Sequence, residues 1–216
     1  MTVVGVVLAA GRGTRFADGN KLLATVGTDG EPIVSRAART LDVGGVDRVL
    51  AVVGHDADAV GEAVADRVDG TVHNPEYERG QSTSVRAGAR AAREHGAEAA
   101  VFLPGDMPRV DPGTVTRLVD EYRATDAPVV VPVRDGRRGN PVLFDSSLFD
   151  ELTEISGDTG GRALFDSVDV RRVAVTDPGI HRDVDTVADL ERMRQSDGGD
   201  GSDGSDGSDG SDGDRS

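Results

Sequence analysis

A chain of 216 residues and 22.5 kDa has room for one large domain or two small ones. Its 24 basic and 39 acidic residues give a net charge of −15, which argues against nucleic acid as a partner, because a phosphate backbone needs a basic footprint. With 0 Cys, disulfide scaffolds, thiolate zinc sites and cysteine nucleophiles are excluded, and no apolar run approaches the ~18 residues of a membrane span. The N-terminus shows no basic stretch ahead of an apolar core, so the expectation is a soluble, cytoplasmic protein with no membrane partner. The basic residues are 23 Arg and a single Lys, Lys21; the acidic ones are 29 Asp and 10 Glu. An Asp-rich, Lys-poor surface suits concentrated salt and points to a halophilic source.

Taken in chain order, Val3–Leu8 (VVGVVL) is a continuous apolar run, the pattern of a buried central strand. A helix over 32–41 follows, then a strand over 46–53, a helix near 57–67 and a short strand at 71–73. Ser82–His95 is Ala- and Arg-rich and helical, opened by hydroxyl residues suited to an N-cap. Ala99–Leu103 forms a strand ending at Pro104-Gly105-Asp106-Met107-Pro108. A helix with Pro112 at its start leads to strands over 128–133 and 141–144. Short helices over 147–154 and 160–167, a strand over 171–175 and a helix over 186–194 complete the body. This alternation implies βαβ units: a single Rossmann-like, three-layer α/β domain over residues 1–195, with a mostly parallel sheet. Residues 196–216 are a Gly/Ser/Asp tail with no apolar residue, carrying 7 Asp and 1 Arg, and are expected to be disordered. Removing that −6 leaves the body at −15 + 6 = −9.

In such sheets ligands sit beyond the carboxyl ends of the strands. The loop after the first strand reads Leu8-Ala9-Ala10-Gly11-Arg12-Gly13-Thr14-Arg15-Phe16 and runs on to Lys21. It is not a P-loop, and Phe16 stands where the dinucleotide fingerprint needs its third Gly. What remains is a Gly-rich loop followed by two cations, Arg15 and Lys21, suited to a nucleoside triphosphate. Asp106, at a strand end in a tight turn, is well placed to hold Mg²⁺, which takes one or two carboxylates plus phosphates and waters. Ser82 and Ser84 open a helix whose N-terminus could face base, ribose or phosphate, or simply cap it. The four His are scattered and carry no metal-ligand spacing.

LAAGRGTRFADGNKLL resembles the signature of the nucleotidyltransferases related to the molybdenum cofactor guanylyl- and cytidylyltransferases. Five further segments fall in that family's order: Asn74-Pro75 with Gly80-Gln81-Ser82-Thr83-Ser84, Gly105-Asp106-Met107-Pro108, Arg138-Gly139-Asn140-Pro141, Gly157–Arg162, and Asp183-Val184-Asp185-Thr186 with Asp189-Leu190. The resemblance covers residues 3–193. It implies Mg²⁺-dependent transfer of a nucleotidyl group to a phosphorylated acceptor such as molybdopterin, with a molybdoenzyme receiving the product. It assigns catalysis to Lys21, Arg15 and Asp106. The nucleotide would meet Leu8, Ala9, Ala10, Gly11, Gly13, Arg15, Lys21, Asn74, Ser82 and Ser84, and the acceptor Arg138 and Asn140. Asp183 and Asp185 are candidates beside Asp106 for the metal; in an extended segment they would point apart, and Asp185 could instead cap the last helix. Asn140 replaces the usual His. Ala10 and Gly-Gln-Ser-Thr-Ser look more like the cytidylyl branch, which favours CTP. Other readings are guanylyl transfer, a sugar-phosphate or phospholactate acceptor, a non-catalytic nucleotide-binding module, and an acidic scaffold acting through its tail.

Overall fold

Alternate residues of the first strand enter two different cores. Val3, Val7 and Ala9 join one buried cluster, while Val4 and Val6 join another on the opposite sheet face. That two-residue period makes Val3–Leu8 apolar throughout: the strand is covered on both sides. The structure is a computed structural model that describes residues 1–13, 19–26, 30–157 and 160–197. Arg15 and tail residues 198–216 lie outside the described residues.

The strands are β1 (Val3–Ala9), β2 (Thr25–Val26), β3 (Glu31–Pro32), β4 (Arg48–Val53), β5 (Gly70–His73), β6 (Ala99–Pro104), β7 (Val129–Arg134), β8 (Arg137–Arg138), β9 (Val142–Asp145) and β10 (Val170–Ala174). The helices are α1 (Ile33–Val43), α2 (Ala57–Val64), α3 (Gln81–Glu94), α4 (Pro112–Thr125), α5 (Phe149–Glu154) and α6 (Val187–Asp197). The main sheet has the order β10-β7-β9-β6-β1-β4-β5, with β8 paired to β7. Its pairs are parallel except where β9 runs antiparallel between β6 and β7, and where β8 folds back on β7. Helices α1, α2 and α4 cover one face through Leu41, Val60 and Leu118; α3 and α5 cover the other through Ala89 and Phe149.

Chain direction across the sheet reverses at β1. From β1 the chain builds outward through β4 and β5, then returns to β6 on the other side of β1. The carboxyl ends of β1 and β6 therefore diverge into different loops and leave a crevice between them. Gly88 lets α3 lie close beneath it: a Cβ there would come 2.7 Å from Val6 Cγ1 and 3.0 Å from Phe102 Cε1. A separate small core of Val26, Ile33, Val184, Leu190 and Met193 docks α6 against the β2–β3 ribbon. Arg194 fastens that contact, donating from Nε and Nη2 to the Thr25 carbonyl at 3.1 and 2.9 Å.

Candidate active site

The crevice at the ends of β1 and β6 is a cleft of about 710 Å³. Leu8 and Ala10 line it from β1 and the residue after it, Phe102 and Pro104 from β6, Val142 and Phe144 from β9. The Gly loop contributes Gly11 and Arg12, and the start of α3 contributes Gly80, Gln81 and Ser84. Backbone bonds pin the loops that frame it. His55 N–H donates to the Ala10 carbonyl at 3.1 Å, and Gly105 N–H donates to the Leu8 carbonyl at 2.9 Å.

One corner of the site is charged. Lys21 sits in a short 3-10 turn, Lys21–Leu23, capped by Asn20, whose side chain accepts from Leu22 N–H at 3.0 Å. Its ammonium donates to Asp106 Oδ2 at 2.7 Å and to Asp185 Oδ1 at 3.0 Å. Only 9% of Lys21 is exposed. Burial alone would lower its pKa, but the charge and hydrogen bond of Asp106, then those of Asp185, outweigh it and hold the ammonium above its ordinary value. Gly13, at φ +57°, makes room for this side chain: a Cβ there would lie 2.8 Å from Lys21 Cγ.

Asp106 reaches the corner from the turn after β6. Val184 N–H donates to the Asp106 carbonyl at 2.9 Å, tying that turn to the segment before α6. The segment holding Asp183 and Asp185 is irregular, not a strand, so the two side chains are not forced apart: Asp183 lines the cleft while Asp185 meets Lys21. Burial, with the charges of Asp185 and Asp106, raises the Asp183 carboxyl above its ordinary pKa. Asp185 is not the cap of α6. Thr186 and Asp189 form a reciprocal box, with Thr186 N–H and hydroxyl donating to Asp189 Oδ2 at 2.8 and 2.7 Å, and Asp189 N–H donating to Thr186 Oγ1 at 3.2 Å. Asp185 N–H also donates to Asp189 Oδ2, at 3.2 Å.

The other expected positions divide. Ala10, Gly11, Leu8, Ser84 and Asn140 line the cleft. Ala9 faces the core on the other side. Asn74 lies behind the wall, its amide donating to Thr83 Oγ1 at 2.9 Å and Ser84 Oγ at 3.1 Å. Ser82 is buried within the first turn of α3, and Gly80 takes the N-cap position with no side-chain cap bond, so neither serine caps the helix. Arg138 is exposed, its guanidinium 5.0 Å over the Phe165 ring, whereas Asn140 donates to Met107 Sδ at 3.3 Å beside the cleft.

Several lining residues had no assigned role in the sequence reading. Arg12 forms an ion pair with Glu78 and lies 5.8 Å over the Tyr77 ring, bridging the Gly loop to the segment before α3. Gln81 and Arg162 both line the cleft, inside segments that carried the resemblance. A second cleft, of about 410 Å³, adjoins through Asp183 and is bordered by Arg109, Arg182, Arg192 and His181.

Residues 5–173 match the MobA-like NTP transferase domain. The chain belongs to that family. It is a nucleotidyltransferase, of a class that uses divalent metal ions. Among relatives, it is 32% identical over 204 residues to nicotine blue oxidoreductase of Paenarthrobacter nicotinovorans, covering 88% of this chain and 96% of that one. It is 34% identical over 155 residues to phosphoenolpyruvate guanylyltransferase of Conexibacter woesei, covering 70% and 67%. The structure of Rv0371c from Mycobacterium tuberculosis H37Rv in complex with manganese superposes with a TM-score of 0.73 at 31% identity, over 91% of this chain and 100% of that one. Among the described residues, no helix is long and apolar enough to cross a membrane.

Proposed function

We propose that this nucleotidyltransferase moves a nucleotidyl group from CTP to a phosphorylated small molecule, molybdopterin being the first candidate, and releases pyrophosphate. The observation that carries the reading is the Lys21 ammonium held between Asp106 and Asp185 at the edge of the strand-end cleft. An acceptor phosphate oxygen attacks the α-phosphorus, a new P–O bond forms, and the bond to the bridging oxygen breaks with its electron pair leaving on pyrophosphate. The attacking oxygen is already anionic, so no general base is needed. The demand is alignment and charge neutralisation.

Among the described residues no three His, Asp or Glu form a ready-made metal cage. A pair of carboxylates completed by substrate phosphates is the donor set that Mg²⁺ ordinarily takes, and Asp106 with Asp183 or Asp185 fits it. Bound there, the ion would neutralise triphosphate charge. Lys21 stays charged in its raised-pKa setting and supplies a mobile donor for phosphate oxygens. Gly11 and Gly13 allow backbone approach, with Arg15 a further cation for the phosphates. Ala10, Gln81 and Ser84 are candidates to meet base and ribose. On the acceptor side, Asn140 borders the cleft, and Arg182 in the second cleft, which Asp183 and Asp189 also line, is a candidate cation for an anionic molecule.

The similarity to a phosphoenolpyruvate guanylyltransferase favours a second reading, guanylyl transfer to a phosphorylated carboxylic acid. Nicotine blue oxidoreductase raises a redox alternative, against which stands the broken dinucleotide fingerprint at Phe16. The deciding experiment is pyrophosphate release with each NTP in turn against molybdopterin and phosphoenolpyruvate, with Mg²⁺ or Mn²⁺. CTP with molybdopterin should be fastest. GTP winning would move the assignment to the guanylyl branch, and no release with any pair would overturn it.

A further inference from the structure

A cation already occupies the place between Asp106 and Asp185, and it belongs to the protein. The Lys21 ammonium lies 2.7 Å from one carboxylate and 3.0 Å from the other, with its stem laid along Gly13. The carboxylates come from residues 85 and 164 positions away, so the ammonium is also what joins the turn after β6 and the segment before α6 to the Gly-loop side. A bare divalent ion arriving here must displace the ammonium, which then has to give up two charge-assisted bonds in a half-buried setting. A metal–nucleotide chelate carries the replacement with it: its phosphate oxygens can receive the displaced ammonium while its metal takes the carboxylates.

We infer that Lys21 guards the acidic pair, so that the resting enzyme refuses the free divalent cation and accepts the metal only as the metal–nucleoside triphosphate chelate. This deepens the reading above and rests on its metal site, with Asp185 taken as the partner of Asp106. The residue joins two roles in sequence. Before binding it holds the carboxylates together against their mutual repulsion; after binding it moves to the phosphates. Ion and nucleotide therefore bind with positive coupling, because each removes a cost that the other would meet alone.

The coupling predicts that removing the ammonium makes the resting protein a better metal binder while making it a worse enzyme. The test is electron paramagnetic resonance of free Mn²⁺ titrated with the full-length protein in the absence of nucleotide. Lys21→Gln and Lys21→Met keep all but the last atom of the side chain's length and remove its charge, and two chemically different replacements guard against a folding artefact. Both are expected to bind Mn²⁺ at least tenfold more tightly than the unaltered protein, and adding Asp106→Asn to Lys21→Met should abolish the gain. In the unaltered protein, a non-hydrolysable α,β-methylene CTP should tighten Mn²⁺ binding at least tenfold beyond what that nucleotide chelates alone. Equal Mn²⁺ affinity in the three proteins would overturn the inference, as would a gain that survives Asp106→Asn. The readout is metal binding, so a protein that released no pyrophosphate would refute the proposed reaction without touching this result.

Discussion

Gly13 and Lys21 lie against each other so closely that a methyl group on Gly13 would meet Lys21 Cγ at 2.8 Å, and the Gly13 backbone, at φ +57°, is one that other residues rarely adopt. Gly13→Ala therefore strains the loop and displaces the Lys21 stem together. We expect a loss of at least about tenfold in kcat/KM and about 1–3 kcal/mol of stability. Steady-state kinetics beside a urea unfolding curve measures both, and unaltered kinetics would show that the contact does not position Lys21.

Lys21→Ala should reduce kcat/KM by at least ~100-fold, as expected for a well-placed charge donor. Read as an exposed residue, Lys21 would cost the fold under ~1 kcal/mol. The buried site changes that expectation, because truncation leaves two carboxylates facing each other. Their own exposed flanks soften the penalty, so we expect about 1–3 kcal/mol, short of the full cost of orphaning a buried ion pair. Denaturant midpoints of the variant and the unaltered protein compare the two expectations.

Asp106→Asn should abolish metal-dependent turnover with the fold intact. Asp185→Asn should be the more severe of the remaining pair, since it removes an ammonium partner, and Asp183→Asn the milder. Burial and its acidic neighbours disfavour the charge on Asp183, so Asp183→Asn should also raise the melting temperature at neutral pH. Equal, mild kinetic losses from the last two would place the second metal ligand elsewhere.

The fourth prediction concerns pH and lies away from the cleft. Tyr122 is buried, and its hydroxyl donates to Asp145 Oδ2 at 2.6 Å and to the Glu98 carbonyl at 3.0 Å. Burial works to raise the Asp145 carboxyl, but bonds from Ser147 and Tyr122 outweigh it and leave its pKa below the ordinary value. A depressed carboxylate stabilises the fold above its unfolded pKa, near ~4, and loses that contribution as pH falls through the folded value. Tyr122→Phe should thus cost about 1.5–3 kcal/mol at pH 7, the usual worth of a hydrogen bond to a charged group. The gap should narrow below about pH 4. Thermal melts from pH 2 to 7 would show it, and a gap independent of pH would assign the loss to packing alone.

Much of the scaffold is legible in the sequence because buried parallel strands must be apolar on both faces, as Val3–Leu8 is. The ribbon of Thr25–Val26 and Glu31–Pro32 is not, since two-residue strands are too short to carry a period. Asp106 and Lys21 stand out individually by residue type and setting. Their pairing is invisible in one dimension, because it is set by the reversal of the sheet at β1. Arg138 shows the opposite limit: its motif marks a loop near the site, but the side chain lies over Phe165. Asp185 was ambiguous because Thr186 and Asp189 can satisfy the helix start without it, a choice decided by geometry.

The segment carrying Asp183 and Asp185 follows the last residue of the matched family span, 173, yet it reaches back to Lys21 across 164 positions. In chain order every strand of the main sheet precedes Asp185, the second carboxylate of the charged corner. The strands that frame the cleft and the second acidic partner of Lys21 are thus carried by separate stretches of chain. A message truncated just after β10 would encode every strand of the main sheet and leave Lys21 without the second of its two carboxylate partners.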